Sequence, residues 1–292
     1  MRRPEASLQQ QGSALPWHAA LHALQREAQP HALASVVGAA GSTPREPGAK
    51  MLITEDAVHD TLGGGTFEFQ VIACAQEALA RGESGTRLEA FPLGGRSGQC
   101  CGGYVHVLIE LFAGAEMQVA LFGAGHVGQA LVGLMAPLPW RVHWFDSRDD
   151  VFPAQQRPRL AKHHAPDPAA AVATLPPGCH ALVMTHDHGE DCALVDALLT
   201  RGDCASIGLI GSHSKWVSFQ RRLRDAGHAQ ARLDAEVRCP IGVAGAKGKL
   251  PYEIALSMVT ELLTLKPTAS QSDRRGVAPD TLRKAFTAPT DE

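Results

Sequence analysis

No run of about 18 consecutive apolar residues occurs anywhere in this sequence of 292 residues, because Gly, His, Arg or Asp interrupts every apolar stretch. A membrane-spanning helix is therefore not expected. An excess of one charge is also lacking. The 27 Lys and Arg against 30 Asp and Glu leave a formal net charge of -3, and no local basic run supplies a footprint for nucleic acid. The N-terminal segment MRRPEASLQQQ begins basic and turns Gln-rich without the apolar core of a secretory signal, so export is not expected and the cytoplasm is the expected compartment. A paired cysteine framework is missing as well. Cys74, Cys100, Cys101, Cys179, Cys192, Cys204 and Cys239 are odd in number and irregularly spaced, which points to reduced thiols. No internal repeat is visible.

What is present is the balance of a folded chain, with 45% hydrophobic and 20% charged residues and length enough for two domains that each bury a core. Trp17, Leu21 and Leu24 share a face of a helix expected over Pro16 to Gln29, and strands are expected at 31–40 and 50–54. A helix from Thr66 to Ala80 and strands at 87–93 and 104–112 complete an α/β domain over residues 15–113, preceded by a flexible N-terminus at 1–14. After a short linker, Gly114-Ala115-Glu116, the texture changes. Strands at 117–122, 141–145, 180–185 and 205–210 alternate with helices at 126–135, 168–175, 189–200 and 215–226. This pattern predicts a Rossmann-like, doubly wound parallel sheet over 116–265. A last helix spans Pro251 to Leu265, and residues 266–292 are polar and aperiodic, a flexible tail.

Within that frame, Gly123-Ala124-Gly125-His126-Val127-Gly128 follows a strand and opens a helix. That is the setting in which glycines let backbone approach a phosphate and a helix start offers unpaired N–H groups. Asp146, eighteen residues after Gly128, stands where an acidic residue would hydrogen-bond a ribose or another polyol. Thr185-His186-Asp187-His188-Gly189-Glu190-Asp191 lies at the end of a later strand and reads three ways: polar ligand contact, metal ligation, or capping of the next helix. Ser212 and Lys215 form another strand-to-helix turn suited to a phosphate. Cys100 and Cys101, flanked by glycines, read as exposed loop thiols.

Taken together, Gly41 to Met51, Gly63-Gly64-Gly65 with Glu68, Cys100-Cys101-Gly102-Gly103, Leu121 to Val127, Met184 to His188, Ile210-Gly211-Ser212 and Cys239-Pro240-Ile241-Gly242 resemble the XdhC/CoxI family from about residue 15 to about residue 265. The resemblance implies a chaperone that binds molybdenum cofactor, protects it, supports exchange of an oxo for a sulfido ligand with a cysteine desulfurase, and inserts the product into apo xanthine dehydrogenase of purine catabolism. It also implies dealings with molybdenum cofactor biosynthesis proteins, a homodimer, and no turnover of its own. The candidate cofactor contacts are then Ser42, Thr43, Arg45, Glu68, Gln99, Cys100, Cys101, Gly102, Gly123, Gly125, His126, Gly128, Asp146, His186, Asp187, Ser212 and Lys215. Cys101 is the candidate for a thiol near the metal or a transient sulfur acceptor. No resident metal site is expected. The alternative is an NAD(P)-dependent oxidoreductase that uses the glycine turn for the dinucleotide and His186, Asp187 and His188 as proton donors.

Overall fold

The computed structural model describes residues 15–41, 43–93, 104–265 and 276–286. They divide into two units, Met1–Gly114 with Thr268–Glu292, and Ala115–Pro267. In the first unit a helix at Trp17–Arg26 (α1) precedes strands at His31–Ala40 (β1), Lys50–Ile53 (β2) and Val58–His59 (β3), a helix at Gly65–Ala80 (α2), and strands at Gly85–Pro92 (β4) and Tyr104–Phe112 (β5). All pair antiparallel in the order β3-β2-β1-β5-β4. Alternation along β5 sends Val105, Val107, Ile109 and Leu111 to one face. There they meet Phe67, Val71 and Ala75 of α2. The opposite face of β1 and β2, at Leu33 and Leu52, is covered by Ala20 of α1.

The second unit runs through strands Met117–Phe122 (β6), Trp140–Asp146 (β7), Leu160–His164 (β8), His180–Val183 (β9), Ser206–Leu209 (β10) and Val237–Arg238 (β11). Its helices are His126–Met135 (α3), Pro168–Ala171 (α4), His188–Arg201 (α5), His213–Asp225 (α6), Gln230–Glu236 (α7) and Pro251–Leu265 (α8). The six strands are parallel in the order β11-β10-β9-β6-β7-β8. Even positions of β6, Ala120 and Phe122, face the cluster that holds Leu194, Val195 and Leu198 of α5 and Trp216 and Phe219 of α6. Odd positions, Val119 and Leu121, face Leu131 of α3 and Met258 and Leu262 of α8. The sheet is therefore covered on both faces, the condition for central parallel strands with nearly continuous apolar sequence.

Several elements differ from the sequence expectation. β8 was not foreseen because Leu160-Ala-Lys-His-His is an edge strand whose residues are all half-buried or exposed, so it carries no apolar alternation. The helix expected at 168–175 is an α-helical turn at Pro168–Ala171 followed by a 3-10 turn at Val172–Thr174. Part of the segment read as a flexible tail is a helix, Pro279–Phe286 (α9). Pro279 suits its first position and Asp280 its positive end. Among the described residues, no helix is long and apolar enough to cross a membrane.

Candidate functional site

In the second unit β6 and β9 are neighbours although β7 and β8 lie between them in sequence. The chain leaves β6 toward one side of the sheet and β9 toward the other, which opens a crevice beyond their C-terminal ends, the place where open α/β sheets take ligands. The glycine turn follows β6 and the 185–191 segment follows β9, so topology brings these two sequence candidates together.

The three glycines of the turn do different work. Gly123 has φ +117°, and a Cβ there would lie 2.2 Å from the Met184 carbonyl oxygen, so glycine is required for the turn to pass β9. A Cβ on Gly128 would lie 2.2 Å from the Gly123 carbonyl oxygen, so glycine there lets α3 sit close under its own entry loop. A Cβ on Gly125, by contrast, would meet no atom within 4 Å. Gly125 is the N-cap of α3, and no side chain caps the helix. Its first-turn N–H groups and positive dipole end therefore face the crevice without a side-chain acceptor.

Asp146, at the end of β7, is 3% exposed. Its Oδ2 accepts from the Ala124 amide at 2.6 Å and from Arg148 Nη2 at 2.9 Å. Its Oδ1 accepts from the Arg148 amide at 3.0 Å and Nε at 2.9 Å. Four donors fill the acceptor capacity of a carboxylate. The structure thus gives Asp146 the task of holding the glycine turn. Burial works against its charge, but the hydrogen bonds from Arg148 and Ala124 outweigh it and hold the carboxyl at about 2, below the ordinary 3.8. A carboxylate depressed in the folded state adds stability that is complete above its unfolded value and is lost as pH falls through 3.8 toward about 2. Thermal unfolding across that window should show the wild-type advantage over Asp146→Asn shrinking as the pH drops; a gap of constant size would refute this role.

The segment after β9 is pinned from inside. Asp191 is fully buried; its Oδ1 accepts from the Thr185 amide at 2.9 Å and the Thr185 hydroxyl at 2.8 Å. Lys215 Nζ donates to Asp191 Oδ2 at 2.6 Å and to the Ile210 carbonyl at 3.0 Å. Gly211 makes room for this, since a Cβ there would lie 2.7 Å from Lys215 Cδ. Lys215 is thus the partner of a buried carboxylate and a strut between the β9 and β10 loops. Ser212 caps α6 through the Lys215 amide at 3.3 Å, and Asp187 caps α5 through the Glu190 amide at 2.8 Å. Of the three readings for 185–191, capping accounts for Asp187. The Glu190 and Gly189 amides and the charges of His186 and His188 hold its carboxyl below the ordinary range. His126, His186 and His188 are exposed at the same sheet edge.

In the first unit Glu68, at the start of α2, is buried. Its Oε2 accepts from the Thr61 hydroxyl, from the Leu62 amide at 2.8 Å and from the Gly64 amide at 3.2 Å. It holds the Gly63-Gly64-Gly65 turn, against which the 43–48 loop packs. A Cβ on Gly63 would lie 2.5 Å from Pro44 Cβ. Thr43 donates its hydroxyl to the Arg45 carbonyl at 3.2 Å, and Arg45 is exposed. Ser42, Gln99, Cys100, Cys101 and Gly102 lie outside the described residues. β1 ends, and β5 begins, at this same end of the sheet.

Sequence reasoning missed Arg148 and the structural weight of Asp191. Arg148 stands two residues past a strand-ending acid, a spacing that lets one side chain close on the other. Ser147 also donates to Glu190 at 2.8 Å, tying the β7 loop to α5. Cys239, after β11, has its thiol pushed up to about 11 by burial, with Lys215 opposing, so it is protonated near neutral pH. Among the described residues no cluster of three or more His, Cys, Asp or Glu is arranged to hold a metal ion.

Comparison with known proteins adds the following. Residues 24–91 match the XdhC and CoxI family, and residues 119–262 match the XdhC Rossmann domain. The uncharacterized protein YqeB of Escherichia coli (strain K12) is 29% identical over 249 residues, 84% of this chain. The chain spans 45% of that curated relative's length. A crystal structure described as a xanthine dehydrogenase from Bacillus halodurans aligns with TM-score 0.46 and 19% identity, covering 89% of this chain and 98% of the other. ChuY from E. coli CFT073 aligns with TM-score 0.31 and 18% identity, over 50% of this chain and 90% of its own. At these values neither structure bears on function.

Proposed function

The chain belongs to the XdhC and CoxI family, and from that membership we propose that it is an accessory protein that carries molybdenum cofactor to a xanthine-dehydrogenase-type enzyme. In this reading it shelters the cofactor, supports its sulfuration by a cysteine desulfurase and delivers it without turnover of its own. The observation that carries the reading is the open backbone at Gly125, above the uncapped start of α3 and beside the crevice between β6 and β9. Molybdopterin presents a phosphate, a hydrogen-bonding pterin and an oxygen-sensitive dithiolene. The α3 N–H groups suit the phosphate, and the exposed His126, His186 and His188 suit polar groups of the pterin. Cys101, with Cys100, is the thiol proposed to meet the metal or accept sulfur.

The nicotinamide reading is less well supported, because Asp146 has no acceptor left for a ribose hydroxyl and Asp187 is a helix cap. A carrier also needs intermediate affinity. A dissociation constant near micromolar, about -8 kcal/mol, retains cargo while leaving release accessible. Anaerobic titration of the protein with molybdenum cofactor, and separately with NAD(H) and NADP(H), tests the choice. Saturable cofactor binding without nicotinamide binding is expected; nicotinamide binding with hydride transfer and no cofactor retention would overturn the proposal.

A further inference from the structure

Cys179 and Cys204 stand just before β9 and β10, at the edge of the sheet opposite the crevice. The Gly178 amide donates to the Asp203 carbonyl and the Ala205 amide to the Cys179 carbonyl, both at 2.9 Å. These two bonds bracket the cysteines and hold their backbones side by side. The two sulfurs are 3.9 Å apart. Arg201 is fastened beside them by hydrogen bonds to the Val172 and Leu175 carbonyls at 2.7 Å each and to the Asp203 carboxylate. Its positive charge is offset at Cys204 by the Asp203 carboxylate to which it is paired, so what favours a thiolate at Cys204 is the S–H of its neighbour. Exposure separates the two thiols, since Cys179 is buried and Cys204 is partly accessible. The Cys179 S–H hydrogen bond to its neighbour holds the Cys204 thiol below its ordinary value, while that bond and burial push Cys179 up.

We propose that Cys204 and Cys179 form a reversible thiol oxidation site that hydrogen peroxide converts to a disulfide. The Cys204 thiolate attacks one peroxide oxygen, the O–O bond breaks, and hydroxide leaves; Cys204 becomes a sulfenic acid. The Cys179 sulfur then attacks the Cys204 sulfur, the S–O bond breaks, and the departing hydroxide takes the Cys179 proton as water. Two thiols are oxidised and one peroxide is reduced to two waters. A dithiol reductant reverses the bond by exchange. The loop so closed contains β9, α5 and the segment between them, which carry Asp187 and Asp191. This site is independent of the cargo proposed above.

The test uses the reduced full-length chain, treated with hydrogen peroxide, alkylated while native and then mapped by mass spectrometry after tryptic cleavage. Cleavage after Arg201 places the two cysteines in different peptides. The expected product is a linked pair of those peptides, lighter by two hydrogens than their sum and separated by dithiothreitol. In Cys179→Ser, Cys204 should run on to sulfinic or sulfonic acid. Wild-type Cys204 recovered as a free thiol or an over-oxidised acid, without the link to Cys179, would overturn the proposal, as would a Cys204 that stays reduced in Cys179→Ser.

Discussion

Lys215→Met is expected to lower the unfolding free energy by about 3–5 kcal/mol, the cost of leaving a buried carboxylate without its partner. Asp191 is 0% exposed, and the Lys215 ammonium is the cation on its Oδ2 at 2.6 Å. Methionine keeps the apolar stem that passes over Gly211, so the loss reports the charge and not the packing. The remaining acceptors of Asp191 serve the Thr185 amide and hydroxyl, which would stay bonded to an uncompensated charge. Urea unfolding of both proteins measures the difference. A loss below about 1 kcal/mol, the size of an exposed pair, would contradict the buried strut.

Gly125→Val should leave the empty protein almost as stable as wild type yet weaken cofactor binding by about tenfold or more, a loss of about 1.4 kcal/mol. Gly125 has φ -70° and ψ -174°, an extended conformation that valine adopts, and its Cβ would meet nothing within 4 Å. In the proposed carrier the side chain would therefore fill the space assigned to the cofactor phosphate. Gly128→Val makes the opposite prediction, because its Cβ would fall 2.2 Å from a backbone oxygen. Overpacking of that kind costs about 1–3 kcal/mol or more, whatever is bound. Thermal unfolding alongside a cofactor titration separates the two variants; a folded Gly125→Val with unaltered affinity would remove the glycine turn from the site.

The α/β class and the parallel, Rossmann-like second unit were legible because central strands such as Val119 to Phe122 are nearly all apolar and are followed by helices with recognisable starts. The glycine turn was legible for the same reason. Edge elements were not: β8 is polar, and β11 is only two residues long, too short for a period to show. Sequence position did not show the local roles of Asp146, Asp187 and Lys215. Each stands beyond the C-terminal ends of the strands and is engaged there by local hydrogen bonding, with Arg148, the Glu190 amide and Asp191. Spacing along the chain shows which residues reach an edge; it does not show whether their lone pairs or charges are already spent. Glu68 teaches the same point in the first unit, where its carboxylate serves the amides of its own glycine turn.

The most direct test of the carrier reading is transfer. The protein is loaded anaerobically with sulfurated molybdenum cofactor, freed of unbound cofactor, and mixed with apo xanthine dehydrogenase. The account predicts that xanthine oxidation activity appears in proportion to the loaded protein added, and that Gly125→Val, which holds its cargo more weakly, gives less. Activity that is no greater than with free cofactor, or that is equal for Gly125→Val and wild type, would contradict it.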